Sequence, residues 1–185
     1  MKTIVLHGSP RKNGNSSTLA DHFLKGLKET NQVEIKHFYT NEMNIKHCQG
    51  CESCATTENN KCIIEDDMHK IYEAFAKAEV VVWASPMFWG YLTSQLKTAL
   101  DRMEALVMDP MKNLVGKTFV VILTYRNHYE TAASFFQRIA PHFNINLHIL
   151  ECCTKDKQSG KDIPVTNILE KLDEAYQLGK TLVIK

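Results

Sequence analysis

The stretch His7-Gly8-Ser9-Pro10-Arg11-Lys12-Asn13-Gly14-Asn15-Ser16-Ser17-Thr18 decides the reading of this 185-residue chain. A short β-branched run, Thr3-Ile4-Val5-Leu6, precedes it, and a helical pattern begins near Leu19. A strand, a small-residue loop and a helix N-terminus gather backbone N–H groups and the positive end of a helix dipole at one spot, which suits a phosphate. Ser9, Ser16, Ser17 and Thr18 add hydroxyl donors, and Arg11 and Lys12 add positive charge. An ordinary strand-to-helix turn needs only a Ser or Asn cap. The Walker pattern is absent, because Gly14 is followed by Asn15-Ser16 and the lysine comes earlier. The dinucleotide pattern G-x-G-x-x-G is absent too, because only Gly8 and Gly14 are present. A loop richer in hydroxyls than in glycine suits a single terminal phosphate monoester.

Outward from this loop, strand and helix patterns alternate. Thr3–His7, Val33–Tyr39, Val80–Ala84, Thr118–Leu123 and Asn146–Cys152 read as strands, the middle ones as continuous apolar runs. Ser16–Glu29, Asp66–Ala78, Ser94–Leu106, Ala132–Phe143 and Ile163–Leu182 read as amphipathic helices. Asp66 serves as an N-cap, and Ile168, Leu169, Leu172, Ala175 and Tyr176 face inward on the last. The pattern predicts one domain over residues 1–185: a three-layer α/β/α, doubly wound parallel sheet of five strands. A phosphate loop after the first strand favours the order 2-1-3-4-5, with ligand at the switch point beyond the carboxyl ends of the strands.

Composition narrows the function. The net charge of +1 gives no electrostatic case for nucleic acid or an anionic membrane. No apolar run approaches the length of a bilayer span, and the chain opens in a strand rather than a signal peptide, so a cytoplasmic location is expected. Six cysteines in such a chain are expected to be reduced, metal-bound or redox-active rather than disulfide staples.

Three further segments fall on the same sheet edge. Ser85-Pro86-Met87-Phe88-Trp89-Gly90-Tyr91 crowds aromatics into a loop, as expected for binding something flat or joining an interface. Thr124-Tyr125-Arg126-Asn127-His128-Tyr129 follows the fourth central strand; His128 alone reads as a surface residue. The aperiodic segment 41–65 carries Cys48, Cys51, Cys54 and Cys62 at C-x2-C-x2-C-x7-C spacing. Three readings stand open for these thiols: an iron–sulfur cluster, a Cys₄ zinc site, or a metal-free thiol loop. Cys152 and Cys153 are expected to be buried and inert.

Together these segments resemble the NADPH-dependent FMN reductase group of flavodoxin-like proteins, most of all its iron–sulfur flavoprotein branch. The matching pieces are Gly8-Ser9-Pro10-Arg11-Lys12-x-Gly14-Asn15-Ser16; Cys48-x-x-Cys51-x-x-Cys54 with Cys62 and Asp66-Asp67-Met68; and Ser85-Pro86-Met87-Phe88-Trp89-Gly90 followed by Gln95-Leu96-Lys97 and Asp101-Arg102. The resemblance implies that Ser9, Arg11, Asn15, Ser16, Ser17 and Thr18 hold the phosphate of FMN. It implies that Pro86, Met87, Phe88, Trp89 and Gly90 line the isoalloxazine ring, with Thr124, Tyr125, Arg126 and Asn127 on the loop beside it. In the iron–sulfur branch, Cys48, Cys51, Cys54 and Cys62 would ligate a [4Fe–4S] cluster. The implied activity is electron transfer from NAD(P)H or a reduced carrier to a quinone, a free flavin or another small acceptor, by a homodimer or tetramer, with no obligatory acid–base side chain. The rival readings are an electron carrier without its own nicotinamide reaction and a non-redox binding module. The loop after the fourth strand departs from the glycine-rich loop common in the family.

Overall fold

The computed structural model describes residues 1–57 and 60–183, so residues 58 and 59 of the expected cysteine-rich loop and the last two of the expected domain lie outside the described residues. Five parallel strands form the sheet: β1 (Lys2–His7), β2 (Glu34–Tyr39), β3 (Val80–Phe88), β5 (Thr118–Tyr125) and β6 (Asn146–Cys153). A two-residue strand, β4 (Tyr91–Leu92), turns back antiparallel on the end of β3. The spatial order is β2-β1-β3-β5-β6. This is the expected 2-1-3-4-5 order with one small hairpin added.

Alternation along each strand splits the core into two layers. Ile4, Leu6, Val81, Trp83, Phe119 and Val121 point to one face, where α3 (Met68–Lys77), α4 (Ser94–Asp101) and α7 (Glu130–His142) cover them. Val5, Val80, Val82, Val120 and Ile122 point to the other, under α1 (Asn15–Thr30) and α8 (Leu169–Thr181). Because both faces are covered, the central strands are apolar throughout. Short helices α2 (Ser53–Thr56), α5 (Glu104–Val107) and α6 (Pro110–Asn113) complete the connections.

The helix boundaries differ from expectation in two places. The expected helix over 94–106 breaks after Asp101, where a tight bond from the Met103 N–H to the Leu100 carbonyl ends α4 before α5 begins. The expected helix over 163–182 starts only at Leu169. Pro164 sets an extended backbone there, Val165–Asn167 form one 3₁₀ turn, and Lys155 and Asp162 bridge a hairpin ahead of it. Leu169, expected inside, is 72% exposed as the first residue of that helix, although Leu172 and Ala175 are buried as expected.

α1 and α8 lie unusually close. A Cβ on Gly26 would sit 2.0 Å from the Tyr176 carbonyl oxygen, and one on Gly179 would sit 2.0 Å from that of Phe23. The two glycines let the backbones touch.

Candidate functional site

The carboxyl ends of β1, β3 and β5 meet at one edge, and the loop after β1 folds there as follows. Gly8 donates to the Ala84 carbonyl (2.8 Å) and its own carbonyl accepts from Thr93 Oγ1 (2.7 Å). A Cβ on Gly8 would meet Leu96 and Thr93 at 2.9 Å, so only glycine allows the loop this close to α4. The Ser9 hydroxyl accepts from the Arg11 N–H (3.1 Å), and the Gly14 N–H returns to the Arg11 carbonyl (3.1 Å). The chain then enters α1 through Gly14, with no side-chain cap and no acidic residue in the first turn. The first-turn N–H groups are therefore open. Beside them the Ser16 hydroxyl is buried and has no hydrogen-bond partner.

Ser16 is one of the residues lining a cavity of about 230 Å³. Ser9, Arg11, Asn15 and Ser16 form its phosphate-loop wall, Pro86, Met87 and Phe88 its second wall, and Thr124, Tyr125 and Arg126 its third. Ten of the expected residues thus converge on one space. Tyr125 is fixed by donating to Glu151 Oε2 (2.5 Å). Burial, reinforced by that carboxylate, pushes its phenol well above the ordinary tyrosine range.

Five expected residues do not line this cavity. The Ser17 hydroxyl pairs with His7 Nδ1 (3.3 Å), and Thr18 Oγ1 donates to the Gly14 carbonyl (3.2 Å). Asn127 accepts from Lys155 Nζ (3.1 Å) at the rim. Trp89 and Gly90 form the two-residue tip of the β3–β4 hairpin, both at positive φ (51° and 77°) as a type I′ turn requires. This is an uncommon conformation for a bulky aromatic, and the Trp89 side chain is wholly exposed.

Thr154 and Asp162 also line the cavity and were not read from the sequence. Thr154 Oγ1 bonds both Asp162 and the Tyr125 carbonyl. The signal available for Thr154 was its place just past the last strand, on the same edge; Asp162 reaches the site only through the 155–162 hairpin. Asn15 is spent on that segment as well. Its amide donates to the Ile163 carbonyl (3.0 Å) and accepts from the Val165 N–H (3.0 Å).

Behind the loop, His7 is 1% exposed, with Nε2 3.0 Å from His37 Nδ1 and its ring stacked on Tyr39 at 4.4 Å. Burial, then the neighbouring His37, lowers its pKa to about 4, so it is a neutral imidazole.

The four spaced cysteines line a second cavity of about 370 Å³ with Ser53, Ile64, Arg102 and Glu104. Cys48 and Cys51 are exposed, and Cys54 and Cys62 half-buried. The Ser53 hydroxyl, 3.3 Å from Cys51 Sγ, lowers that thiol's pKa. Burial raises that of Cys54, with Glu104, Cys62 and Cys48 adding to it. Among the described residues, no three Cys, His, Asp or Glu side chains stand close enough to hold one metal ion. Cys152 is buried as expected, and burial pushes its thiol up to about 11. Cys153 is exposed, contrary to expectation, as the last residue of the edge strand β6.

The base of the cysteine loop is held by Arg102. Its Nη1 donates to the Lys46 carbonyl and Asp66 Oδ2 (both 2.7 Å), and its Nη2 to Asp66 Oδ1 (3.3 Å) and the Ile64 carbonyl (3.4 Å). Asp66 in turn accepts the N–H groups of Lys46 (2.8 Å) and Met68 (3.0 Å); it is not the expected N-cap, because α3 starts at Met68 and Asp67 takes the cap position without a side-chain cap bond. Burial would raise the Asp66 carboxyl, but Arg102 and these N–H groups outweigh it and hold the carboxyl below its ordinary range. One helix therefore connects the two loops: Thr93, capping the start of α4, bonds the Gly8 carbonyl, and Arg102, just past its end, holds the cysteine loop.

A third and larger cavity, about 480 Å³, opens between α4, α5 and α7 and is lined by Tyr91, Leu100, Val107, Phe135, Ile139 and Phe143 among others. None of the residues expected to bind cofactor or metal lies on it. Among the described residues, no helix is long and apolar enough to cross a membrane.

The chain is similar to solved structures over nearly its whole length. An azoreductase from Bacillus anthracis superposes with a TM-score of 0.75 at 15% identity, covering 98% of this chain and all of that one. An NAD(P)H:quinone oxidoreductase from Methanothermobacter marburgensis gives a TM-score of 0.73 at 16% identity, covering 97% and 94%. These likenesses show the flavodoxin-like fold. In sequence, an iron–sulfur flavoprotein of Archaeoglobus fulgidus is 35% identical over 78% of this chain and 64% of its own length. Another from Methanocaldococcus jannaschii is 33% identical over 66% of this chain and 60% of its own length. The matched region thus spans somewhat less than two thirds of each of these relatives. The family model of NADPH-dependent FMN reductases matches residues 1–144, which include the phosphate loop, all four spaced cysteines and the walls at 86–88 and 124–126, and the chain belongs to that family.

Proposed function

We propose that the protein is an FMN-binding oxidoreductase that takes electrons from NAD(P)H or a reduced carrier and passes them to a quinone, a free flavin or another small acceptor. Ser16 carries this reading: its hydroxyl is buried and unpartnered beside the uncapped N-terminus of α1, and the residue lines the same cavity as Arg11. A phosphate monoester there would accept from open N–H groups, a hydroxyl and a guanidinium. Pro86, Met87 and Phe88 would lie against a flat ring, with Thr124, Tyr125 and Arg126 on its other border. FMN, when bound, supplies the redox chemistry. The chain's own part is to grip the phosphate, orient the ring and present backbone N–H groups near Thr124–Arg126 to negative charge on it. Ser17 and Thr18 support the loop from behind, through His7 and Gly14. FMN is expected to bind one per chain and riboflavin, which lacks the phosphate, far more weakly. Anaerobic NADH or NADPH should then bleach the bound flavin. A protein that takes up no FMN overturns the proposal.

The cysteine cavity favours a compatible second reading, an iron–sulfur flavoprotein. Four thiols share one cavity, and four cysteine thiolates are the ligand set of a [4Fe–4S] cluster; a Cys₄ zinc site is the competing occupant. A cluster held there would store single electrons. Anaerobic purification should yield about four irons per chain, and Cys51→Ser should abolish them. We also propose a homodimer or tetramer, supported by the exposed Phe88 and Trp89 and the open apolar cavity beside Tyr91. Light scattering that gives a monomer at working concentration would count against it.

A further inference from the structure

A buried ion pair is a poor device for stability, because desolvating both partners costs about as much as their attraction returns. Arg102 and Asp66 form such a pair, at 1% and 0% side-chain exposure. Its orientation is specific. Arg102 lines the cysteine cavity, whereas Asp66 does not and sits behind it, held by Lys46 and Met68 N–H groups. The pair is therefore a fixed dipole with its positive end toward the four thiols. Four of the guanidinium's contacts are taken by Lys46, Ile64 and Asp66, but its Nε–H is buried without a partner. An orphaned charged donor in a shielded position costs free energy unless something accepts from it.

We propose that Arg102 is the electrostatic tuning residue of the cysteine cavity, holding a positive end and a free N–H donor against a thiolate-bound iron–sulfur cluster and so raising its reduction potential. The proposal rests on the reading that the four cysteines hold such a cluster. Net charge and hydrogen bonds to sulfur are the levers that set cluster potentials. A dipole shielded from solvent acts on them with little screening by salt. Arg102 also ties both arms of the loop, at residues 46 and 64–66, so the charge and the cradle are placed by one side chain.

The test uses the full chain, reconstituted anaerobically with iron and sulfide, and reads iron content and midpoint potential. Arg102→Gln removes the charge and the donor. At the wild-type midpoint it should shift the reduced-to-oxidised ratio at least tenfold toward oxidised, which is 59 mV for a one-electron centre. Asp66→Asn leaves Arg102 in place and removes the negative end, so its potential should move the opposite way. A merely structural pin predicts no such opposition. If Arg102→Gln fails to load iron, Arg102→Lys, which keeps the charge, should load with a potential near wild type, and Asp66→Asn should lie above both; a wild-type potential in loaded Asp66→Asn then overturns the tuning role. Wild-type potential in both Arg102→Gln and Asp66→Asn, with iron bound, overturns the tuning role while leaving the cluster reading intact. A wild-type protein that takes up no iron overturns both.

Discussion

Ser16 would be a poor choice for a helix first turn if nothing reached it, since a buried hydroxyl without a partner is costly. Replacing it with Ala should weaken FMN binding about 10- to 100-fold, the value of a hydrogen bond to a charged group, while leaving the cofactor-free protein's melting temperature unchanged or raised. A fluorescence titration beside a thermal melt separates the two effects. His7 gives a second prediction at this scale. Its folded pKa, about 4, lies below the unfolded value near 6.5. As pH falls through that window the unfolded chain takes up a proton that the folded protein refuses, so stability falls, by on the order of 2–3 kcal/mol from this site. Asp66, held low by its partners, adds a loss further down the acid side. Denaturation at pH 7 and pH 4.5 should show a shallower acid loss in His7→Gln than in wild type; an equal loss would show that His7 is not the source. Roles at this scale were only partly legible. Asn15 stands in a phosphate-loop pattern, yet its amide is consumed by Ile163 and Val165, about 150 residues away in sequence, and no local pattern reveals such a partner.

At the scale of elements, the α1–α8 contact turns on two glycines. Helix propensity alone predicts that Gly26→Ala or Gly179→Ala gains about 1 kcal/mol. The 2.0 Å approach to a carbonyl oxygen reverses the sign, because backbone cannot swing aside as a side chain can. Each substitution should cost about 1–3 kcal/mol as the helices part, read as a lower denaturant midpoint with an unchanged slope. The strands were legible because alternation and apolar runs are local: 80–84 and 118–123 lie centrally in the sheet, as their sequence indicates. The break of α4 at Arg102 and the late start of α8 were not, because both answer to distant contacts. Arg102 is claimed by the loop at 46–66, and Val165 by Asn15.

For the whole molecule, the sequence reading worked by convergence. Loops after β1, β3 and β5 must meet at one edge of a doubly wound sheet, and they do, around one cavity. What it lacked was the fourth wall of that cavity, Thr154 and Asp162, since a hairpin between the last strand and the last helix carries no motif. Cys153 was misplaced for a simpler reason: it ends β6, the edge strand of the sheet, where only one face stays covered.

α4 has a consequence at this scale. Thr93 at its start holds Gly8, and Arg102 after its end holds the cysteine loop, about 14 Å along the helix axis. A ligand that orders one end lowers the ordering cost at the other. For the proposed cluster, thermodynamic reciprocity then requires that flavin occupancy tighten its retention by the same factor that the cluster tightens flavin binding. In the loaded protein, amides at 44–67 should exchange more slowly when FMN is added, and amides at 8–18 more slowly when iron is restored. Two sites that titrate independently would mean that the helix connects them in space without transmitting anything between them.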